Sequence, residues 1–139
     1  MKTCIYDYRH DDATMIRQVV FINEQGFSYE YDEIDEWATH IVIYDEEPVG
    51  VCRIFPDENN DIEYIVGRLA VMKSHRNRGI GRKLLEACED YAKSKGGTFV
   101  KLHSQCRAAE FYEKCGYIAK GEIEEEEGVP HVWMYKELK

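Results

Sequence analysis

The sequence predicts a mixed α/β fold, in which helices pack on a mixed, mostly antiparallel sheet. Two observations lead to this prediction. Short runs rich in β-branched residues alternate along the chain with segments whose apolar residues recur at helical spacing. Polar turns containing Pro, Asn or Gly separate these segments, and no internal repeat, linker or low-complexity tract interrupts them. We therefore expect one domain over residues 1–139.

The first half of the chain predicts a strand, a helix and an antiparallel meander of three strands. An aspartate can cap the helix before its first apolar residue, and a glycine follows its last one. Acidic and aromatic residues then follow without a clear period, which predicts a loop with about one helical turn. The predicted elements are a strand over residues 3–8, a helix from Asp11 or Asp12 to Gly26, a loop over 30–36 and strands over 40–44, 49–55 and 64–72.

The second half continues the alternation and ends in a hairpin. A long amphipathic helix follows the central strand and ends at two adjacent glycines. The remaining predicted elements are a strand over 98–103, a helix over 108–115 that Gly116 stops, and a last hairpin of 117–119 and 131–135 around the acidic run Glu122 to Glu127.

The composition of the chain excludes several classes of function. The formal net charge of −9 and the isoelectric point near 5.0 argue against nucleic acid as a partner. No apolar run approaches the roughly 20 residues of a membrane span, and no signal-peptide pattern begins the chain. Five cysteines without a Cys-x-x-Cys pair predict reduced, mostly buried thiols. We therefore expect a cytoplasmic protein with no membrane partner.

The connection between the central strand and the long helix carries the main functional signal. It contains Gly79 and Gly81, where backbone can approach a ligand without an intervening Cβ. The unpaired N–H groups and partial positive charge of a helix N-terminus suit an anion. Basic residues crowd this stretch of an acidic chain: Lys73, His75, Arg76, Arg78, Arg82 and Lys83. The stretch predicts a phosphate-bearing ligand; the alternative is a plain strand-to-helix connection with surface arginines.

Two well-known phosphate loops do not fit this stretch. A Walker-type loop needs Gly, four residues and then Gly-Lys-Ser/Thr, which is missing. A dinucleotide fingerprint would place a third glycine where Leu84 stands. The order Arg76-Asn-Arg-Gly79-Ile-Gly81 instead resembles the acyl-coenzyme A loop of GNAT-type N-acetyltransferases.

The resemblance to the GNAT-type acetyltransferases extends over nearly the whole chain. A second signature of the family is similar to Gln105-x-x-Ala108-x-x-x-Tyr112-x-x-x-Gly116-Tyr117, with Gln105 in place of the usual Asn. Three further patches look like the ElaA-like branch: Phe21-x-x-Glu24-Gln25, Asp35-x-x-x-x-His40 and Glu127-Gly-Val-Pro-His131-Val-Trp-Met134.

The resemblance implies both a fold and a cofactor site. The family fold has a sheet of about six to seven strands flanked by about four helices, and it is splayed where acyl-CoA binds. Main-chain groups freed by the splay pair with the pantetheine amides, while the glycine-containing loop holds the phosphates. The implied cofactor-binding residues are Leu69, Ala70, Val71, Arg76, Arg78, Gly79, Ile80, Gly81, Arg82, Gln105 and Tyr112.

The resemblance also implies catalytic roles. At the position of Tyr112 the family places a hydroxyl that protonates the leaving thiolate, although Tyr112 also reads as a core aromatic. The general base is Glu24 by first choice, because it ends the first helix beside the family's acceptor site. Other candidates for the base are Glu63, His40 and His131. No two histidines stand at i, i+4 with a carboxylate partner, so we expect no metal.

We therefore predict an acetyl-CoA-dependent N-acetyltransferase whose acceptor amine attacks directly. The alternatives are a catalytically silent acyl-CoA-binding regulatory module and a nucleotide-binding protein, and the sequence leaves a homodimer open. Carboxylates mixed with aromatic residues follow the first helix, which favours a cationic small acceptor over a merely solvated surface. These residues are Glu30, Asp32, Glu33, Asp35 and Glu36, with Tyr29, Tyr31 and Trp37 among them.

Overall fold

The computed structural model describes residues 1–28 and 30–139 and contains a sheet of seven strands. The strands are β1 (Lys2–Tyr6), β2 (Thr39–Asp45), β3 (Glu47–Asp57), β4 (Asn60–Val71), β5 (Phe99–Gln105), β6 (Ile118–Glu126) and β7 (Val129–Glu137). Their order is β1-β2-β3-β4-β5-β7-β6. Strands β4 and β5 pair in parallel, whereas the other neighbours are antiparallel. The predicted mixed α/β fold is confirmed, including the meander β2-β3-β4.

Three α-helices cover the sheet: α1 (Asp11–Arg17), α2 (Ile80–Ser94) and α3 (Ala109–Lys114). A seven-residue π-helical segment, Gln18–Glu24, continues α1, so the described residues form three α-helices where about four were predicted. Single 3₁₀ turns lie at Glu33–Glu36, Lys73–His75 and Cys106–Ala108. Within the described ranges, no helix has the length and apolar character needed to cross a bilayer.

The central strands of the sheet are buried on both faces, because a helix covers each face there. On one face, α2 contributes residues at helical spacing, such as Leu84 and Cys88, that pack on Ile41 and Ile54. On the other face, residues of α1 and its extension pack on Val42, Val51 and Ala70. Neighbouring residues of β2 therefore point into different cores, as the alternation of a strand requires. This explains why the central strands read as continuous apolar runs.

Two details differ from the sequence prediction. The cap of α1 is His10 rather than an aspartate: its Nδ1 accepts a hydrogen bond from the Asp12 N–H at 3.0 Å. The acidic run Glu122 to Glu126 belongs to strand β6, and the turn is formed by Glu127 and Gly128, both with positive φ. Because cross-strand hydrogen bonds to β7 fix this hairpin, exposed like charges do not prevent the strand from forming.

Strand β4 is bent and then parts from β5. Val51 pairs with Ala70 but Arg53 pairs with Gly67, so β4 carries one extra residue in this interval. Arg68 lies in that bulge with φ +52°. Pairing with β5 ends at Val66 and Leu102, although both strands continue. The predicted splay is confirmed, and it leaves a wedge between the ends of β4 and β5.

Candidate active site

Two cavities meet at the wedge between β4 and β5. The smaller one has a volume of about 510 Å³ and lies beside the end of β4, against Val20, Glu24, Ala70, Val71 and Arg76. The larger one, of about 600 Å³, lies among β3, β4, β5 and β7. Gln25, Leu69 and Arg107 line both cavities. A ligand that crosses the wedge at Leu69 would therefore reach from one cavity into the other.

The end of β4 offers backbone to a ligand. On one side, Ala70 and Val71 pair with β3, so that edge is occupied. On the other side, no ladder joins Gly67–Val71 to β5 in the described part of the chain. The exposed edge can take an extended ligand chain by strand-like hydrogen bonding. This is the position predicted for Leu69, Ala70 and Val71.

The N-terminus of α2 has the features that suit an anion. Gly79 precedes the helix with φ +78°, a conformation that costs glycine little. The helical hydrogen bonds begin with Lys83 N–H donating to Gly79 O, so the N–H groups of residues 80–82 lack an i−4 partner. The first turn holds no acidic residue, and Arg78 and Arg82 are exposed beside it. The arrangement suits a phosphate.

Gly81 has a packing role that the sequence did not reveal. A Cβ at this position would lie 2.9 Å from the Cζ atom of Phe111 on α3, so the ring would have to shift to admit any side chain. The glycine therefore lets α3 approach α2 directly, in addition to its predicted place in the ligand loop. Ile80 of the same loop is buried in the core, so only its backbone is available to a ligand.

Arg76 and Glu24 are brought together, but as an ion pair. Arg76 Nη2 donates to Glu24 Oε1 at 2.8 Å, and Arg76 Nε donates to the Val71 carbonyl at 3.0 Å. The hydrogen bond from Arg76 lowers the pKa of Glu24. A carboxylate held in this way accepts a proton less readily, and both residues line the smaller cavity. The geometry therefore favours a structural role for Glu24 over the predicted role of general base.

Tyr112 lines the larger cavity from α3 with its hydroxyl free. Its ring packs edge-on against Phe111 and Tyr117, at centroid distances of 5.0 and 6.2 Å. The hydroxyl makes no hydrogen bond with a described residue. Burial, and then the neighbouring cysteine thiols, raise the pKa of this phenol. A phenol of this kind stays protonated at neutral pH, so it can donate a proton but not remove one.

Gln105 bridges the mouth of the wedge. Its Nε2 donates to Gln25 Oε1 at 3.0 Å, and its Oε1 accepts from Arg107 Nε at 2.6 Å. Gln25 follows the extension of α1, whereas Gln105 ends β5, so the bond spans the two sides of the opening. In this state the amide of Gln105 is occupied by protein partners.

The acidic segment after α1 is largely neutralised by arginines. Arg17, fully buried on α1, donates to Asp35 at 2.8 Å and also binds Glu30. Arg53 binds Asp32 and Asp35, and Arg68 binds Glu30 and Asp32. Burial acts to raise the pKa of Asp35, but Arg17 and Arg53 outweigh it and hold the pKa well below its usual value. Of the acidic residues predicted to attract a cation, mainly Glu33 and Glu36 therefore carry a negative charge that no arginine neutralises.

This arginine–carboxylate network was missed from the sequence. A signal existed, because Arg17 follows Ile16 on the apolar face of α1 and Arg53 interrupts a buried strand. At each of these positions a guanidinium group would be buried without a partner unless a carboxylate paired with it. Of the aromatic residues predicted beside the acids, Trp37 packs edge-on against Phe55, and Tyr29 lies outside the described residues.

The other candidates for the general base occupy different places. Glu63 Oε1 lies 3.0 Å from Lys101 Nζ, and His40 is fully buried with Nε2 at 3.1 Å from the Asp35 carbonyl. His131 lines the larger cavity. In the described ranges, no group of three or more His, Cys, Asp and Glu side chains could hold a metal ion.

Comparison with known proteins agrees with this geometry. A family model described as the acetyltransferase (GNAT) domain matches residues 7–138. The uncharacterized protein YyaT of Bacillus subtilis is 39% identical over 140 residues, which cover 91% of this chain and 88% of YyaT. The uncharacterized N-acetyltransferase YjcF of the same organism is 37% identical over 131 residues, covering 91% of each chain.

Solved structures share the fold over nearly its full length. A candidate N-acetyltransferase of Lactobacillus plantarum superposes with a TM-score of 0.90 at 32% identity, covering 99% of this chain and 98% of the other. Escherichia coli ElaA gives 0.82 at 23% identity, covering 97% and 98%. An aminoglycoside 6'-N-acetyltransferase complexed with coenzyme A gives 0.76 at 18% identity, covering 99% and 97%. The chain therefore belongs to the GNAT acetyltransferase family, in the branch that includes ElaA, and is an N-acetyltransferase.

Proposed function

We propose that this N-acetyltransferase uses acetyl-CoA and transfers the acetyl group directly to the amine of a cationic small molecule. The single observation that carries the proposal is the wedge, which joins two cavities at Leu69 next to an anion-binding helix end. The aminoglycoside acetyltransferase named above binds coenzyme A on the same fold. A cofactor with a phosphate end and an extended amide chain matches these two features.

The coenzyme takes up the smaller cavity and the α2 N-terminus in this proposal. Its pyrophosphate receives the N–H groups of residues 80–82, with Arg78 and Arg82 alongside. Its pantetheine arm follows the free edge of β4 from Val71 to Leu69. The thioester then lies in the wedge, where the Tyr112 hydroxyl can donate a proton to the departing sulfur. The hydrogen bond between Gln105 and Gln25 must break when the coenzyme enters the opening of the wedge.

The acceptor takes up the larger cavity. Aromatic and aliphatic side chains line it, including Phe27, Phe55 and Trp133, and Glu126 and Glu127 lie at its rim. Since the segment 30–36 is mostly paired with arginines, these two rim carboxylates are the groups that attract a cationic amine. An apolar wall with an anionic rim suits an amine on an apolar body.

Coenzyme binding is tested by thermal unfolding with CoA, 3'-dephospho-CoA, ATP and NAD. Only CoA and 3'-dephospho-CoA should raise Tm, because they carry the pantetheine chain that pairs with the free edge of β4, whereas ATP and NAD lack it. Gly79→Val should abolish the shift by distorting the helix N-terminus. Gly96→Val is the matched control, since Gly96 also has positive φ and open space but lies at the far end of α2. Equal responses of the two variants to CoA would remove the loop from the proposal.

Acetyl transfer is tested by thiol release from acetyl-CoA with a panel of amines. Tyramine, phenethylamine and spermidine should react faster than glutamate, and kcat/KM for the cationic amines should fall as salt rises. Coenzyme binding without thiol release from any amine would instead support a silent acyl-CoA-binding module.

A further inference from the structure

We propose that His131 is the base that deprotonates the acceptor amine, and that Glu126 is the residue that positions and stabilises it. The inference deepens the function proposed above and rests on it. His131 lies on β7 and Glu126 on β6, and both line the larger cavity that also holds Tyr112.

The ring of His131 is held in one orientation. Its Nδ1 lies 2.8 Å from the Val129 carbonyl, which can only accept a hydrogen bond. The Nδ1 atom therefore carries a proton, and Nε2 is the ring nitrogen that can take one up. Glu126 Oε2 lies 3.3 Å from this Nε2. A carboxylate at this distance stabilises the imidazolium that forms when the ring accepts a proton.

A second imidazole supports the arrangement from β5. The His103 ring stacks on Trp133 at a centroid distance of 4.8 Å and lies 5.0 Å from the His131 ring. Its Nδ1 is 3.7 Å from the same Glu126 carboxylate. Its buried Nε2 makes no hydrogen bond with a described residue, although Glu124 is 3.3 Å away. Glu126 thus lies between two imidazoles, so its charge acts on both.

Other charged groups around this pair come from several elements. Those facing it or lining the same cavity are Glu124 on β6, Glu127 in the turn, His103 and Lys101 on β5, Arg107 after β5, and Arg53 and Arg68 across the cavity. Among the described charged groups, the Glu126 carboxylate is the one within ion-pair distance of the His131 ring.

Glu30 and Asp32 of the larger cavity are already engaged by arginines, whereas Glu127 lies exposed at the rim. Glu30 receives hydrogen bonds from Arg17 and Arg68, and Asp32 receives them from Arg53. Glu24 is paired with Arg76 and lies in the smaller cavity, on the coenzyme side of the wedge. A carboxylate paired with an arginine is a poor proton acceptor. Among the described groups of the acceptor cavity, His131 is therefore the base best placed to act.

The proton balance is complete with these groups. The ammonium of the acceptor gives one proton to His131 Nε2, and the free amine attacks the thioester carbonyl. The C–N bond forms and the C–S bond breaks, while Tyr112 gives its proton to the departing thiolate. The newly bonded nitrogen still carries one proton too many and gives it to the Tyr112 phenolate, which restores the phenol. His131 releases its proton to solvent. The products are the N-acetyl amine, free coenzyme A and one proton.

The test uses His131→Asn, because the Asn side-chain amide can still donate to the Val129 carbonyl. With tyramine as acceptor at pH 7, kcat/KM should fall about 10²–10⁴-fold, and calorimetry should show unchanged acetyl-CoA affinity. The deficit should shrink as pH rises, because the variant reacts only with amine that is already neutral. Glu126→Gln should also lower kcat/KM, by a smaller factor, and this deficit should likewise shrink as pH rises. Glu125→Gln on the same strand, exposed and outside the cavity, should match the wild type.

A folded His131→Asn variant with the wild-type pH profile would overturn the proposal. Imidazole ¹⁵N NMR provides a readout that needs no turnover. Saturating tyramine should shift the His131 Nε2 signal in the wild type, and the shift should change in Glu126→Gln. If the wild type binds acetyl-CoA but acetylates no amine, the proposed function fails, while an unperturbed His131 signal would refute the amine site separately.

Discussion

Replacing Tyr112 by Phe removes one hydroxyl and leaves every ring contact in place. Because that hydroxyl makes no hydrogen bond with a described residue, its loss leaves no partner unsatisfied, and the half-buried site becomes more apolar. We expect the free energy of unfolding to change by no more than about 1 kcal/mol. If the hydroxyl protonates the leaving thiolate, kcat should fall by about 10²–10⁴-fold, which corresponds to roughly 3–5 kcal/mol of barrier.

Tyr117→Phe is the matched control for this experiment. The Tyr117 hydroxyl donates to Glu89 Oε2 at 2.8 Å and lines neither cavity. Its removal should lower stability by roughly 1.5–3 kcal/mol, as for hydrogen bonds to charged groups, and leave kcat unchanged. We therefore expect opposite patterns: Tyr112→Phe should lose kcat and keep its stability, whereas Tyr117→Phe should lose stability and keep its kcat.

The assays are urea unfolding and steady-state thiol release with tyramine at saturating acetyl-CoA. The wild-type pH profile adds a further check. Because the pKa of Tyr112 is raised, its proton is retained above the usual value of about 10, and no descending limb from this group should appear below that pH. Wild-type kcat in a folded Tyr112→Phe variant would show that Tyr112 only packs α3 or positions the coenzyme.

Two further predictions concern stability. Asp35→Asn should lower the free energy of unfolding by about 3–5 kcal/mol in urea titrations, because Arg17 and Arg53 lose their shared buried carboxylate; Glu36→Gln, exposed on the same turn, should stay within about 0.5 kcal/mol. Since the pKa of Asp35 is lowered on folding, its contribution is fully present above roughly pH 4 and is lost as pH falls further, so the difference between wild type and variant should narrow in acid. Gly81→Ala should cost about 1–3 kcal/mol through the contact with Phe111; addition of Phe111→Leu should recover much of this loss, and strict additivity in the double-mutant cycle would contradict the steric explanation.

Local sequence pattern predicted most of the fold, because apolar periodicity and turn residues act over a few positions. It could not predict which distant charges meet. Glu24 and Arg76 are 52 residues apart, and the sequence assigned them to different roles although they form one ion pair. Likewise, Glu30 and its neighbours read as a free acidic surface, because their arginine partners come from α1, β3 and β4. Such pairings depend on the completed tertiary structure.

The candidate site was predicted unevenly for the same reason. The loop before α2 and Tyr112 lie in contiguous motifs, so the sequence alone could single them out as candidates. The sequence offered His131 only as one of several candidate bases. Its suitability as a base depends on two neighbours in space, Glu126 across the hairpin and His103 on β5. The role of Gly81 against Phe111 also requires knowledge of how α3 lies on α2.

The network of Arg17, Glu30, Asp35, Arg53 and Arg68 ties an irregular segment to α1, β3 and β4 at once. Residues 30–36 have little regular structure, and such segments usually open by local fluctuation. Here local opening would leave two buried guanidinium groups, those of Arg17 and Arg53, without partners, at a cost close to that of global unfolding. The segment should therefore unfold cooperatively with β3 and β4, and its slowly exchanging amides should share their protection. Because Glu30, Asp32 and Ile34 of this segment line the larger cavity, that wall of the cavity should open only when the sheet itself opens.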